Sequence, residues 1–191
     1  AAINATHVTL SITTLVPQLA RAMEPRASTP ARRLEAISRL EPFTHADPAT
    51  VQGIIEEAGR FVASAIAPLN HPADKQGLTL ADGVVTTPDG FKEAYAQYVD
   101  AGWGAVPFDP EYGGGGFPWV VGVALQELLT TASMAFSIGP LLTQGAIDML
   151  QHHSSAQQKA IYLPKMLTGE WTGSMNLTEP QAGSDVGALP T

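Results

Sequence analysis

The apolar residues Val51, Ile54, Ile55, Ala58, Phe61, Val62, Ala65, Ile66 and Leu69 recur at the three- and four-residue spacing of a single helix face. Glu56, Glu57 and Arg60 fall on the other face, where they read as solvated surface rather than as catalytic groups. Asp47 supplies an N-cap and Pro48 the first helical residue, so the start of this helix is marked as clearly as its face. Pro68 and Asn70 are expected to end it. A helix of about five turns with one apolar stripe is stable only against other elements, so the rest of the chain must cover that stripe.

Most of the cover reads as more helix. Residues 71–88 form a loop with a small hairpin about Asp82-Gly83, because Asp-Gly between Leu80 and Val84-Val85 favours a tight turn. Thr87-Pro88 opens a second helix through Phe91, Tyr95, Tyr98 and Val99, stopped by Gly102. After a loop from Trp103 to Phe117, Pro118 opens a third through Val120, Val121, Ala124, Leu125 and Leu128. A fourth covers Ser133 to Gln151. A fifth starts at Ser155, where Ser155 and Gln158 have capping-box spacing, and Pro164 and Gly169 close the helical region. Trp171 to Thr178 then reads as a β-strand. The expected organisation is an ill-defined extension over 1–45, an α-helical domain over 46–168 and the start of a β domain over 169–191.

Composition narrows the class. Hydrophobic residues make up 45% of the 191 and charged residues 15%, which excludes a disordered or fibrous chain. No apolar run approaches the roughly 18–20 residues of a membrane span. The absence of cysteine excludes disulfides, thiolate metal sites and cysteine nucleophiles, and makes the chain read as intracellular. Residues 1–40 carry five Arg against two Glu, whereas 41–191 carry five basic and sixteen acidic residues, for a net charge of −8. So acidic a body argues against non-specific nucleic-acid binding. The basic, Ser/Thr-rich start reads as a plain tail, with a transit peptide as the alternative. Asn4-Ala5-Thr6 fits a glycosylation sequon in a context that is not secretory.

Chemistry concentrates at residues 170–187, where the strand pattern runs into Pro180 and then into small and hydroxyl-bearing residues. Thr178 ends the strand with a hydroxyl free to bond a ring edge, Gly183 removes a Cβ where backbone must approach a ligand, and Ser184 with its amide suits a pyrophosphate. The same residues also make an ordinary surface turn. Gly113 to Gly116 lack the Lys-Ser/Thr of a P-loop and its βαβ setting, so they read as a flexible connector rather than a phosphate cradle. His152 and His153 are adjacent and point different ways, with no third ligand at suitable spacing; no metal site is expected, and a helix C-terminus explains them. Glu127 reads as a partly buried structural acid, and Glu179 as a residue that shapes its loop.

Four segments, in order, resemble the acyl-CoA dehydrogenases. Residues Pro110-Glu111-Tyr112-Gly113-Gly114-Gly115-Gly116 are similar to the family's Pro-x-Glu-Tyr-Gly-Gly-x-Gly loop. Gln157 to Pro164 are similar to its Gln-Lys-x-x-Tyr-Leu-Pro stretch, and Leu167-Thr168-Gly169-Glu170 to the bend that follows. Thr178-Glu179-Pro180-Gln181-Ala182-Gly183-Ser184-Asp185 matches its Thr-Glu-Pro-x-Ala-Gly-Ser-Asp signature. The likeness covers about residues 47–189. The Asn-Leu-Thr-Glu-Pro form and the long 70–88 loop look most like the branch acting on 3-methylthiopropanoyl-CoA and similar substrates.

The resemblance implies a mainly α fold, the helical N-terminal domain of that family followed by the first strand and loop of its β domain. It implies oxidation of an acyl-CoA thioester to the trans-2-enoyl-CoA, with hydride passing to N5 of FAD. Met175, Asn176, Leu177 and Thr178 would lie against the isoalloxazine, Gly183 and Ser184 would contact FAD, and Ser184 would also reach the CoA substrate. Where the family often has Tyr, this chain has Met175, whose thioether can still pack on an aromatic face. The base, a glutamate, is expected outside these 191 residues, so no carboxylate here is assigned to catalysis and the piece alone is expected to be inactive. Met134, Phe136, Ile138, Leu141, Leu142 and Ile147 form an apolar cluster, either core or one wall of the acyl pocket. The family further implies a homo-oligomer, an electron-transfer flavoprotein as electron acceptor, and a cytoplasmic location, or the mitochondrial matrix in a eukaryote. The alternative is a non-catalytic helical module that binds a partner or acyl-CoA without redox chemistry.

Overall fold

The computed structural model describes residues 30–188. In chain order they form α1 (Pro30–Ser38), α2 (Pro48–Phe61), a π-turn (Val62–Ile66) and α3 (Ala67–Gln76). The strands β1 (Thr79–Ala81) and β2 (Val84–Thr86) come next, then α4 (Phe91–Asp100), α5 (Trp119–Ala132), α6 (Met134–His153) and α7 (Ala156–Leu167). The fold is mainly α, as expected. Among the described residues β structure is confined to one hairpin, with Thr79 opposite Thr86, Leu80 opposite Val85 and Ala81 opposite Val84. Asp82 and Gly83 both have positive φ (52° and 77°), the backbone that a two-residue hairpin turn requires.

The caps form where the sequence places them. Ser155 accepts from the Gln158 amide at 3.3 Å while the Gln158 side chain accepts from the Ser155 amide at 2.9 Å, a complete capping box. Asp47 accepts from the Ala49 and Thr50 amides at 2.9 and 3.2 Å and from the Thr50 hydroxyl. The Thr50 hydroxyl, and after it the Thr50 amide, hold the Asp47 carboxyl below its ordinary pKa. A depressed pKa contributes stability above the unfolded-state value, and that contribution is lost as pH falls through the folded-state value. The melting-temperature gap between wild type and Asp47→Ala is therefore expected to be full at neutral pH and to shrink below about pH 4. Melts at a series of pH values check this; a gap constant into the acid range contradicts it.

Two expected stops do not stop their helices. The first helix runs past Pro68 and Asn70 to Gln76 and ends at Gly77, which has φ 67°. The π-turn explains the difference: in a regular helix the Pro68 ring would meet the carbonyl four residues back, and the wider turn just before it absorbs that conflict. Pro164 likewise lies inside α7, which continues to Leu167 before Gly169 turns the chain at φ 71°.

Three apolar clusters hold the helices together. Val62 and Ile66 of the π-turn pack with Ala94, Tyr98, Leu129 and Phe136. Ala105 and Phe108 of the α4–α5 connection pack with Ile147, Leu163, Met166 and Leu167. Leu34, Ala46, Val51 and Val121 form the third, so α1, drawn from the segment expected to be ill-defined, contributes a buried leucine. Arg21, Arg26 and the Asn4-Ala5-Thr6 triplet lie outside the described residues.

The glycine run is not a loose connector. Its amides are committed to the preceding turn: Gly113 to Pro110 O (3.1 Å), Gly114 to Asp109 O (2.9 Å), Gly115 to Ala105 O (2.9 Å) and Gly116 to Phe108 O (2.8 Å). With all four N–H groups spent on carbonyls, the run presents no amide cradle for phosphate. Its small side chains serve close backbone approach.

Candidate functional site

Helix α5 is apolar on more than one side. Val121, Ala124, Leu125 and Leu129 are buried, while Trp119 and Val123, one turn apart, stay exposed. Together with Leu141 of α6 they line an open groove of about 430 Å³. Gln126 supplies its polar point: its side-chain nitrogen donates to the Thr130 hydroxyl (3.2 Å) and Ser137 O (3.4 Å), and its buried amide oxygen has no partner in the protein. Glu127, on the rim, is exposed rather than partly buried as expected. Glu56 accepts from Gln52 at 2.7 Å and Glu57 pairs with Arg60, the solvated surface that was expected. His152 Nδ1 lies 2.9 Å from Asp148 O at the end of α6.

The apolar set on α6 splits into two faces instead of forming one cluster. Phe136 and Ile147 are buried, whereas Met134, Ile138 and Leu141 are exposed. Helical spacing dictates the split, since 134, 138 and 141 share one stripe and 136 and 147 another. Leu141 joins the groove, and Gly145 lies one turn further along the exposed stripe.

The signature segment lies against this stripe. Trp171 to Thr178 is not a strand: a strand exists through its ladder, the described residues place none beside it, and the segment instead crosses α6 and α7. Trp171 donates its amide to Lys165 O (3.0 Å), and its ring sits 4.4 Å from Lys165 Nζ and 5.8 Å from the Tyr162 ring. Gly173 donates its amide to Thr143 Oγ1 at 3.1 Å. The Met175 methyl lies 3.8 Å from where a Cβ on Gly145 would stand. Alternate residues thus meet the helices.

A tight turn then reverses the chain, with the amides and carbonyls of Glu179 and Ala182 bonded to each other at 2.9 and 3.2 Å. It brings Gly183 back onto Thr178, whose methyl and hydroxyl would be 3.1 and 3.3 Å from a Cβ on Gly183. Met175, Asn176, Leu177 and Thr178 are thereby joined in space to Gly183 and Ser184. All are exposed except the half-buried Gly183. None of the six lines the groove or the other cavity described, a void of about 20 Å³ beneath Tyr98. Burial pushes the Tyr98 hydroxyl well above its ordinary pKa, so it remains protonated. As a half-site for a flavin the six residues fit: Met175 and Leu177 offer exposed apolar surface to a flat ring, and the Thr178 and Ser184 hydroxyls stand at the turn.

Sequence reading missed Trp119, Val123 and Gln126, although the excess of apolar residues around α5 signals a second surface to be covered. It also missed Thr143, whose contact with Gly173 spans thirty positions and leaves no local mark.

Bundle, groove and overlying segment together define a helical domain that presents one wall of a composite site. Residues 49–170 match the family described as acyl-CoA dehydrogenase, N-terminal domain, and the chain belongs to that family. It is 46% identical over 150 residues to the 3-methylmercaptopropionyl-CoA dehydrogenase of Ruegeria pomeroyi, covering 78% of this chain and 26% of that protein. It is 40% identical over 129 residues to a butyryl-CoA dehydrogenase of Syntrophomonas wolfei, covering 66% of this chain and 21% of that one. Among solved structures, the glutaryl-coenzyme A dehydrogenase in complex with glutaryl-CoA superposes with a TM-score of 0.62 over 73% of this chain and 34% of that chain, at 24% identity. The chain thus spans about a quarter of the length of these curated relatives.

Proposed function

We propose that this chain is the N-terminal part of an FAD-dependent acyl-CoA dehydrogenase, with a helical domain over 46–168 and the start of a β domain over 169–191. The whole protein oxidises an acyl-CoA thioester to the trans-2-enoyl-CoA. One observation carries this reading: Leu141 of the groove and Gly145, on which Met175 rests, are one turn apart on the same face of α6. An apolar slot for an acyl chain and the segment bearing the family signature are therefore neighbours.

In this assignment Trp119, Val123 and Leu141 hold the acyl chain out of water, and Gln126 fixes the polar end of the slot. Met175, Asn176, Leu177 and Thr178 meet the flavin ring; Gly183 and Ser184 meet FAD beside it, with Ser184 also reaching the CoA. When bound, FAD supplies the acceptor for the hydride that leaves the β-carbon. The α-proton goes to a glutamate outside these residues. The protein is a homo-oligomer that passes its electrons to an electron-transfer flavoprotein, in the cytoplasm or, in a eukaryote, the mitochondrial matrix. Among the described residues no helix is long and apolar enough to cross a membrane.

The test is spectroscopic. The full-length protein is expected to purify yellow, and its flavin band to bleach when acyl-CoA is added without oxygen. A panel including a sulfur-containing acyl-CoA would rank substrates. A full-length protein that takes up no FAD, or whose flavin no acyl-CoA bleaches, overturns the proposal and favours a binding module. Residues 1–191 alone are expected to show no turnover, since the base lies elsewhere.

A further inference from the structure

We propose that Thr143 is a positioning residue that sets the register of the signature segment on the helical bundle. Its hydroxyl donates to Gly139 O at 3.1 Å, one turn back in α6. With its proton so directed, the oxygen has a lone pair left to accept the Gly173 amide at 3.1 Å. Thr143 is 7% exposed, so the acceptor is held in a nearly dry setting where an abandoned donor is costly. Gly173 can reach it only because it is glycine: a Cβ there would lie 2.5 Å from Ala146 Cβ, 3.1 Å from the Met166 methyl and 3.3 Å from Thr143 Cα.

Register follows from the spacing of the contacts. Trp171 is tied to Lys165 O and stacked with Lys165 and Tyr162, and Met175 rests over Gly145. Gly173 lies midway between them, and its bond to Thr143 is the one that joins the segment to α6 through a buried side chain. A slip of one residue would bring Thr172 or Ser174 to the Ala146 contact, where no Cβ fits. Thr143 and the empty side of Gly173 therefore act together, one as hook and the other as slot. Thr143 touches no reacting atom; it acts on Met175 to Thr178 through the backbone. The consequence for cofactor rests on the flavin reading above.

Amide hydrogen exchange in the full-length protein tests the hook itself, and FAD affinity tests its consequence. Thr143→Val keeps the shape but removes the acceptor; Thr143→Ser keeps the hydroxyl. Exchange at Gly173 is expected to be about tenfold faster in Thr143→Val, a factor in keeping with the loss of one hydrogen bond, and close to wild type in Thr143→Ser. The Leu163 amide serves as reference for global opening. Unchanged exchange at Gly173 in Thr143→Val overturns the proposal. If the hook is confirmed, FAD is expected to dissociate about tenfold more readily from Thr143→Val and not from Thr143→Ser. Faster exchange with unaltered FAD affinity upholds the hook and removes the flavin from this segment.

Should Thr143→Val fail to fold, Gly173→Ala displaces the segment from the other side. Adding Ala146→Gly removes the nearest obstruction and is expected to restore slow exchange along residues 174–177. A double variant no better protected than Gly173→Ala contradicts the slot.

Discussion

Gly114→Ala is expected to remove about 4 kcal/mol or more of stability, enough to unfold many domains of this size. A Cβ on Gly114 would stand 2.2 Å from Phe108 O, 2.3 Å from Phe108 C and 2.9 Å from Asp109 N. All three atoms are backbone, so no side-chain rotation relieves the overlap, and the turn over 105–110 must separate from the glycine run. That separation breaks the Gly114, Gly115 and Gly116 amide bonds and the Phe117 amide bond to Val106 O at 3.0 Å. At about 1 kcal/mol net for each, four lost bonds give the figure above. Gly113→Ala is the control: its φ of 100° makes a side chain strained, yet nothing lies within 4 Å of its Cβ position. It is expected to cost only about 1–2 kcal/mol. Urea unfolding of both variants decides the matter, and a Gly114→Ala no less stable than Gly113→Ala refutes the packing account.

Phe108→Ala is expected to cost about 3–5 kcal/mol, the usual range for emptying a buried aromatic site. Phe108 is 1% exposed and packs among Ala105, Ile147, Leu163, Met166 and Leu167, so the loss leaves a cavity between α6, α7 and the α4–α5 connection. Relaxation into that space is limited, because the residues around it are tied into two helices and the bonded glycine turn. The ring also meets Trp119 edge-on at 5.2 Å, a geometry that adds to what burial alone contributes. Phe108→Leu keeps most of the volume and is expected to cost less than about 1.5 kcal/mol. Thermal or urea unfolding gives both numbers. Equal losses for Ala and Leu would mean that the ring's shape, not the filled volume, carries the stability. Trp119 also lines the groove, so the alanine variant should loosen that wall as well.

The helices were legible because their signals are local. The Asp47 cap, the Ser155–Gln158 box and the Asp82-Gly83 turn depend on residues a few positions apart, and each forms as the sequence predicts. Proline misled where the backbone changed register: nothing between Val62 and Ile66 announces a π-turn, so Pro68 read as a stop. Alternation along 171–178 misled for another reason. A segment lying on two helices alternates its contacts as a strand does, and only a distant partner tells them apart. Likewise Gly113–Gly116 has the composition of a flexible link, and the carbonyls of Ala105 and Phe108 that fill its space are found only in three dimensions. Of the candidate site, the six residues from Met175 to Ser184 were readable from the signature. Their seat on Thr143, Gly145 and Ala146 was not, because it joins parts of the chain about thirty residues apart.

The extra residue at Val62–Ile66 makes α2 and α3 behave as a crankshaft. An α-helix advances about 100° per residue, so one additional residue rotates everything beyond it by that angle. Upstream, Val51 faces Leu34 and Val121; at the turn, Val62 and Ile66 face Tyr98, Leu129 and Phe136. One continuous rod thereby addresses two separate interiors at different azimuths, a division of labour that a helix of uniform pitch with the same stripe would not achieve.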